Sequence, residues 1–97
     1  MNIEKIVQIA LLGEVPPTLR FLYTSLEDDL LNFHAVFTDD ATDDHLECAN
    51  VVLTEVLSAC PQETKLKEVI EKNSCCPWKI NNGKNLLYLR YGELTNT

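Results

Sequence analysis

Apolar residues recur at helical spacing in two segments of the chain. In residues 3–11 the stripe ends before Gly13 and Pro16-Pro17, which predicts a helix that stops at a glycine. The second segment, residues 38–61, begins with a run of acidic residues. Its apolar stripe consists of Leu46, Ala49, Leu53, Val56, Leu57 and Cys60. Both stripes predict amphipathic helices that pack against a sheet.

Alternating apolar and polar positions predict the strands. Residues 19–26 and 30–38 flank Glu27-Asp28-Asp29 and predict a β-hairpin, with room for a longer or bulged turn. In the second of these strands one phase is strongly apolar, and we expect it to face the helices: Leu31, Phe33, Ala35 and Phe37. A polar strand is predicted at 65–73, at a sheet edge, and an apolar strand at 86–91.

The resulting order α-β-β-α-β-β predicts one α+β domain over residues 1–97. Two hairpins would form an antiparallel four-stranded sheet, with both helices packed on one face. The opposite face would then carry Leu22, Leu26, Val36 and one phase of the last strand. That is more apolar surface than a monomer usually exposes.

Charge narrows the class of partner. With 15 acidic and 8 basic residues the net charge is -7, so we expect no binding to nucleic acid or anionic membranes and a preference for cationic partners. No apolar run reaches the roughly 20 residues of a membrane span, and residues 1–5 do not resemble a secretory leader. These features predict a cytoplasmic protein, in which the four cysteines would be free thiols.

Candidate chemistry is sparse. His34 and His45 have no metal-ligand spacing, so we interpret them as surface residues rather than metal ligands. The adjacent Cys75 and Cys76 support only a minor hypothesis, a small redox or metal-binding regulator. The sequence contains no glycine-rich phosphate loop and no nucleophile with an identifiable base. We therefore predict a protein that is not an enzyme and needs no cofactor or metal.

The acidic run at the start of the second helix is the main functional clue. Thr42 or Asp43 would cap the helix and first-turn aspartates complement its dipole, but five carboxylates in nine residues exceed that need. We hypothesise that the run and the outer face of the helix bind a partner; an ordinary solvated helix start is the alternative. The candidate contact residues are Asp39, Asp40, Asp43, Asp44, Glu47, Val51 and Glu55.

Four segments of the chain resemble a family of small, mostly uncharacterised bacterial proteins. They are ALLGEVPPTLR at 10–20, FTDD at 37–40, TEV at 54–56 and LYLR at 87–90. Proteins of this family are similar to immunity proteins encoded beside polymorphic toxins, including those of contact-dependent growth inhibition systems. The loop at 75–78, with the sequence CCPW, departs from the family pattern.

The resemblance implies an α+β cytoplasmic protein that neutralises a cognate toxin domain by binding it, without catalysis. Toxin domains that cut nucleic acid are usually basic around the active site, so an acidic inhibitor would associate with one by electrostatic steering. Immunity against such a nuclease-type toxin is the first hypothesis. The alternative is an adaptor or structural subunit that homodimerises through the exposed sheet face.

Overall fold

The computed structural model describes residues 2–13, 15–79 and 84–90. Its elements are α1 (Ile3–Ala10), β1 (Leu19–Glu27), β2 (Leu30–Phe37), α2 (Asp43–Ser58), β3 (Lys65–Lys72) and β4 (Leu86–Leu89). The α+β class and the order of the elements are as the sequence predicts. The predicted last residue of the fourth strand, Tyr91, lies outside the described residues. Neither described helix has the length and apolar content needed to cross a membrane.

The sheet is mixed, so the prediction of a purely antiparallel sheet is wrong. Its strand order is β3-β2-β1-β4; β1 pairs antiparallel with β2 and β4, whereas β3 pairs in parallel with β2. A helix between two strands carries the chain back along the sheet, and α2 therefore lets β3 run in the same direction as β2. β3 and β4 consequently lie at opposite edges and do not form the second hairpin. The polar β3 does lie at an edge, as predicted.

The first hairpin is confirmed, and its turn is short. Glu27 pairs with Leu30, which leaves only Asp28 and Asp29 as turn residues. Both have positive φ angles, 52° and 65°. Two consecutive left-handed residues match the twist of antiparallel strands, and aspartate adopts this conformation more readily than most residues do.

Both helices pack on the sheet face that carries the apolar phase of β2, as predicted. Leu31, Phe33, Ala35 and Phe37 share one core cluster with Val7 and Ala10 of α1 and with the stripe of α2. On α2 the buried residues are Ala49, Val52, Leu53 and Val56. The sequence stripe omitted Val52, which is only 1% exposed.

The prediction that Leu22 and Leu26 lie on the opposite sheet face is wrong. The two-residue turn sets Leu26 opposite Leu31, and Leu22 then pairs with Ala35, so both belong to the core beneath the helices. The strand phase of β1 follows from this register, which a longer turn would have changed.

The sequence suggested that the opposite sheet face is bare. In the structure the β3–β4 connection covers part of it. Cys76 and Trp78 of that connection pack against Phe21, Tyr23 and Val36, which form a second apolar cluster with Leu86 and Leu89 of β4. The Tyr23 hydroxyl donates a hydrogen bond to the Trp78 carbonyl. Cys76 and Trp78 of the CCPW loop thus cover part of this apolar face.

Arg20 anchors the same connection. The β1 register shifts between Leu19 and Phe21, and Arg20 lies at this bulge. Its side chain is only 5% exposed; Nη1 donates to the Asn73 carbonyl at 2.7 Å, and the guanidinium lies 5.3 Å from the Phe21 ring centroid. A bulge redirects a side chain, and here it places a cation over the second cluster.

Candidate partner-binding surface

The acidic run lies where the chain leaves β2 and starts α2. Of the two predicted caps, Thr42 serves as the N-cap: its hydroxyl accepts a hydrogen bond from the backbone N–H of His45 at 3.2 Å. His45 Nδ1 accepts in turn from the backbone N–H of Thr42 at 3.4 Å, which completes a capping box. Because Thr42 and His45 supply the cap, the carboxylates of Asp43 and Asp44 are not needed for capping.

The two aspartates that precede the helix are held in place. The Asp39 N–H donates to Ser74 Oγ at 2.7 Å, and the Ser74 N–H donates to Asp39 Oδ1 at 3.3 Å. The hydroxyl of Thr38 donates to Asp40 Oδ1. That bond, followed by a backbone hydrogen bond at Asp40 and the charges of His45 and Arg90, holds the pKa of the Asp40 carboxyl below its ordinary value. Asp40 therefore carries its negative charge even in moderately acidic solution.

The candidate acids are exposed to solvent. Exposed positions are Asp39, Asp40, Asp43, Asp44, Glu47 and Glu55, whereas Val51 is half-buried. Within the described part of the chain no ion pair involves Asp43, Asp44 or Glu47. These carboxylates thus leave an uncompensated negative charge beside the positive end of α2, which suits Arg or Lys side chains of another molecule.

A half-buried histidine links α2 to the segment between α1 and β1. The Thr18 hydroxyl contacts His45 Nδ1 at 2.8 Å. His45, interpreted from sequence as a surface residue, therefore has a structural role at the start of α2. Because Thr18 and His45 are 27 residues apart in the chain, local sequence patterns do not predict this contact.

The other sheet face carries a groove of about 420 Å³. Tyr23, Asn32, His34, Lys67 and Lys84 are among the residues that line it. His34 Nε2 lies 3.1 Å from Glu71 Oε2. Two of the few lysines thus lie on a different face from the acidic run, so they do not neutralise it.

In the part of the chain that the structure describes, the cysteines belong to no cluster of three or more metal-binding side chains. All four are free thiols; Cys75 is exposed and Cys76 half-buried. Burial raises the pKa of the Cys60 thiol, which donates to the Val56 carbonyl at 3.3 Å. Among the described residues no group of three or more His, Cys, Asp or Glu side chains is placed to hold a metal ion. The hypothesis of a redox or metal-binding regulator stays a prediction.

Comparison with known proteins assigns the chain to a family. A search of curated proteins finds no match. A family model described as MafI2 immunity protein matches residues 2–92, which includes all the helices and strands described above and the acidic run. This match confirms the resemblance to immunity proteins of polymorphic toxin systems. The chain belongs to the MafI2 immunity protein family.

Proposed function

We propose that this protein neutralises a cognate toxin domain, basic and of the nuclease type, by binding it through the acidic start of α2. The observation that carries the proposal is the set of exposed carboxylates between Asp39 and Glu47. A hydrogen bond to Ser74 holds the backbone at Asp39 in place, and Thr42 and His45 already cap the helix. Family membership supports a toxin as the partner, and the net charge of -7 supports a cationic one.

Binding alone accounts for the proposed protection. A nuclease concentrates positive charge where it holds phosphates, and an acidic surface is attracted to the same place. Steering by complementary charge raises the association rate above the ordinary 10⁵–10⁶ M⁻¹s⁻¹ of uncharged encounters, at low salt by roughly a hundredfold or more. The inhibitor needs no catalytic residue of its own. Because the nucleic acid at risk lies in the bacterial cytoplasm, the proposal places the protein there.

A charge-neutralised variant tests the acidic surface against the cognate toxin domain. Its five substitutions to Asn or Gln are at Asp39, Asp40, Asp43, Asp44 and Glu47. A matched control removes the same number of charges from exposed positions outside the acidic run. The control positions are Glu4, Glu27, Asp28, Glu63 and Glu68. Both variants retain their backbone caps and should remain folded, which circular dichroism would verify.

We expect the two variants to differ in the rates at which they bind and release the toxin domain. Surface-binding measurements at low and high salt should show a lower association rate and a flatter salt dependence for the acidic-run variant, and a smaller change for the control. If some acids are buried against Arg or Lys in the complex, dissociation should also become faster. Should the acidic-run variant bind the toxin and protect cells as well as the control does, the acidic run is an ordinary helix start and the proposal fails.

A homodimerising adaptor remains the alternative hypothesis. The apolar sheet face on which it rested is covered in part by Cys76 and Trp78, so the structure gives it less support than the sequence did. Light scattering over a range of concentrations separates the two functions, since a concentration-independent monomer would exclude the adaptor.

A further inference from the structure

Three large apolar side chains are exposed around the end of α1. Leu12 is 76% exposed, Ile9 58% and Val15 39%. Ile9 lies in the last turn of α1, and Leu12 lies in the turn that follows the C-cap residue Leu11; the Leu12 N–H donates to the Ile9 carbonyl at 3.1 Å. Gly13, with φ at +80°, lies in the same turn, and Val15 is two residues further along the chain. We call Ile9, Leu12 and Val15 the α1 patch.

The topology places the α1 patch at the acidic end of the molecule. Leu19 at the start of β1 pairs with Phe37 at the end of β2, so the chain enters β1 and leaves β2 at the same end of the sheet. The Thr18–His45 hydrogen bond joins the α1–β1 connection to the first turn of α2. Leu11 and Pro16 also line one small cavity together with Ala49 and Val52. The C-terminal end of α1 therefore lies beside the first half of α2.

The outer face of α2 carries both acids and one apolar residue. At about 100° per residue, Asp44, Val51 and Glu55 lie within roughly 40° of one another on the helix. Val52, about 100° around the helix from Val51, is 1% exposed and lines the same small cavity as Leu11 and Pro16. Val51 is half-buried, and Asp44 and Glu55 are exposed. The exposed acids of α2 and the half-buried Val51 thus lie on a helix that packs beside the end of α1.

We infer that the α1 patch, continued by Val51, is the apolar centre of the toxin-binding surface and that the acids of α2 form its charged rim. The inference rests on the proposed function and deepens it. Stable interfaces combine a desolvated apolar centre with a polar rim, and most of their binding energy comes from a few central side chains. The occupant that fits is a protein surface with an apolar patch flanked by Lys or Arg side chains.

Electrostatic repulsion disfavours a second copy of this chain and an anionic membrane as occupants of the α1 patch. In a symmetric dimer built on the α1 patch, the acidic rim of one copy would meet the same rim of the other, and like charges at an interface are repulsive. An anionic membrane would be repelled in the same way by a protein of net charge -7. A cationic protein surface satisfies both the apolar centre and the rim.

The centre and the rim should affect different rate constants. Charged rims act mainly on association, whereas central apolar contacts are lost only when the complex separates. A double variant, Ile9→Ala with Leu12→Ala, should therefore raise the dissociation rate of the toxin complex by about tenfold or more. Its association rate should stay within about twofold of the unmodified protein, with the same salt dependence.

A matched control comes from the edge strand β3. Leu66 and Val69 are exposed to 39% and 37% and lie on opposite faces of β3, since Leu66 pairs with Leu31 and Val69 with His34. The double variant Leu66→Ala with Val69→Ala removes similar apolar groups away from the α1 patch. We expect it to leave both rate constants unchanged. Thermal unfolding followed by circular dichroism would verify that both double variants remain folded, since all four side chains are exposed.

The outcomes separate the inference from the proposed function. If the unmodified protein binds the toxin domain but the α1-patch variant dissociates no faster than the β3 control, the inference is overturned and the proposed function stands. If the unmodified protein does not bind the toxin domain at all, both are overturned. A dimer of the unmodified protein in light scattering that the α1-patch variant loses would assign the patch to a second copy of this chain and also overturn the inference.

Discussion

Truncation of Leu53 tests how α2 packs on the sheet. Leu53 is 5% exposed and belongs to the core cluster beneath the two helices. Leu53→Ala removes three carbons, which amounts to roughly 2.4 kcal/mol of transfer free energy at about 0.8 kcal/mol per methylene group. A cavity that does not collapse adds about 24 cal/mol per Å³. We therefore expect the free energy of unfolding to fall by roughly 2 to 5 kcal/mol.

Urea unfolding measures this loss, with Leu12→Ala as the control. Both substitutions remove the same atoms, but Leu12 is 76% exposed, so its loss should stay within about 0.5 kcal/mol. In thermal unfolding the Leu53 variant should melt about 10 °C lower or more, since each kcal/mol shifts a domain of this size by roughly 4–8 °C. A loss below about 1 kcal/mol for Leu53→Ala, or equal losses for the two variants, would refute the packing described for α2.

Two further predictions concern the β3–β4 connection and the acidic turn. Arg20→Met should lower the free energy of unfolding by about 1–3 kcal/mol, because the Asn73 carbonyl loses its charged donor. Acrylamide should then quench the fluorescence of Trp78, the single tryptophan, more strongly. Quenching equal to that of the unmodified protein would contradict the role of Arg20. The pKa of the Asp40 carboxyl is lower in the folded state than its ordinary value of 3.8. Asp40 therefore stabilises the fold fully at pH values above its unfolded-state pKa, and this contribution is lost as the pH falls through its folded-state pKa. Asp40→Asn should remove that dependence, and urea unfolding at a series of acidic pH values would show it; identical pH profiles would count against the Thr38 hydrogen bond.

Part of the candidate site is visible in the sequence. A run of carboxylates at a helix start predicts exposed acids, because ionised side chains are rarely buried without partners. The contacts that hold this run in place are not visible: Ser74 and Asp39 are 35 residues apart, and the Thr18–His45 pair is separated by 27. The α1 patch left a weaker signal, since Ile9 and Leu12 are apolar residues outside the helical stripe.

The sequence by itself determined the local elements. Helical periodicity, the Gly13 stop, strand alternation and the polar edge strand depend on residues close together in the chain, so pattern alone predicts them. Only the tertiary structure decided that β3 runs parallel to β2, because a crossover through α2 competes with a hairpin that has similar local patterns. It also decided that Cys76 and Trp78 of the CCPW loop cover part of the second sheet face. Arg20, Tyr23 and Trp78 meet there through contacts between residues more than fifty positions apart, and no local pattern records them.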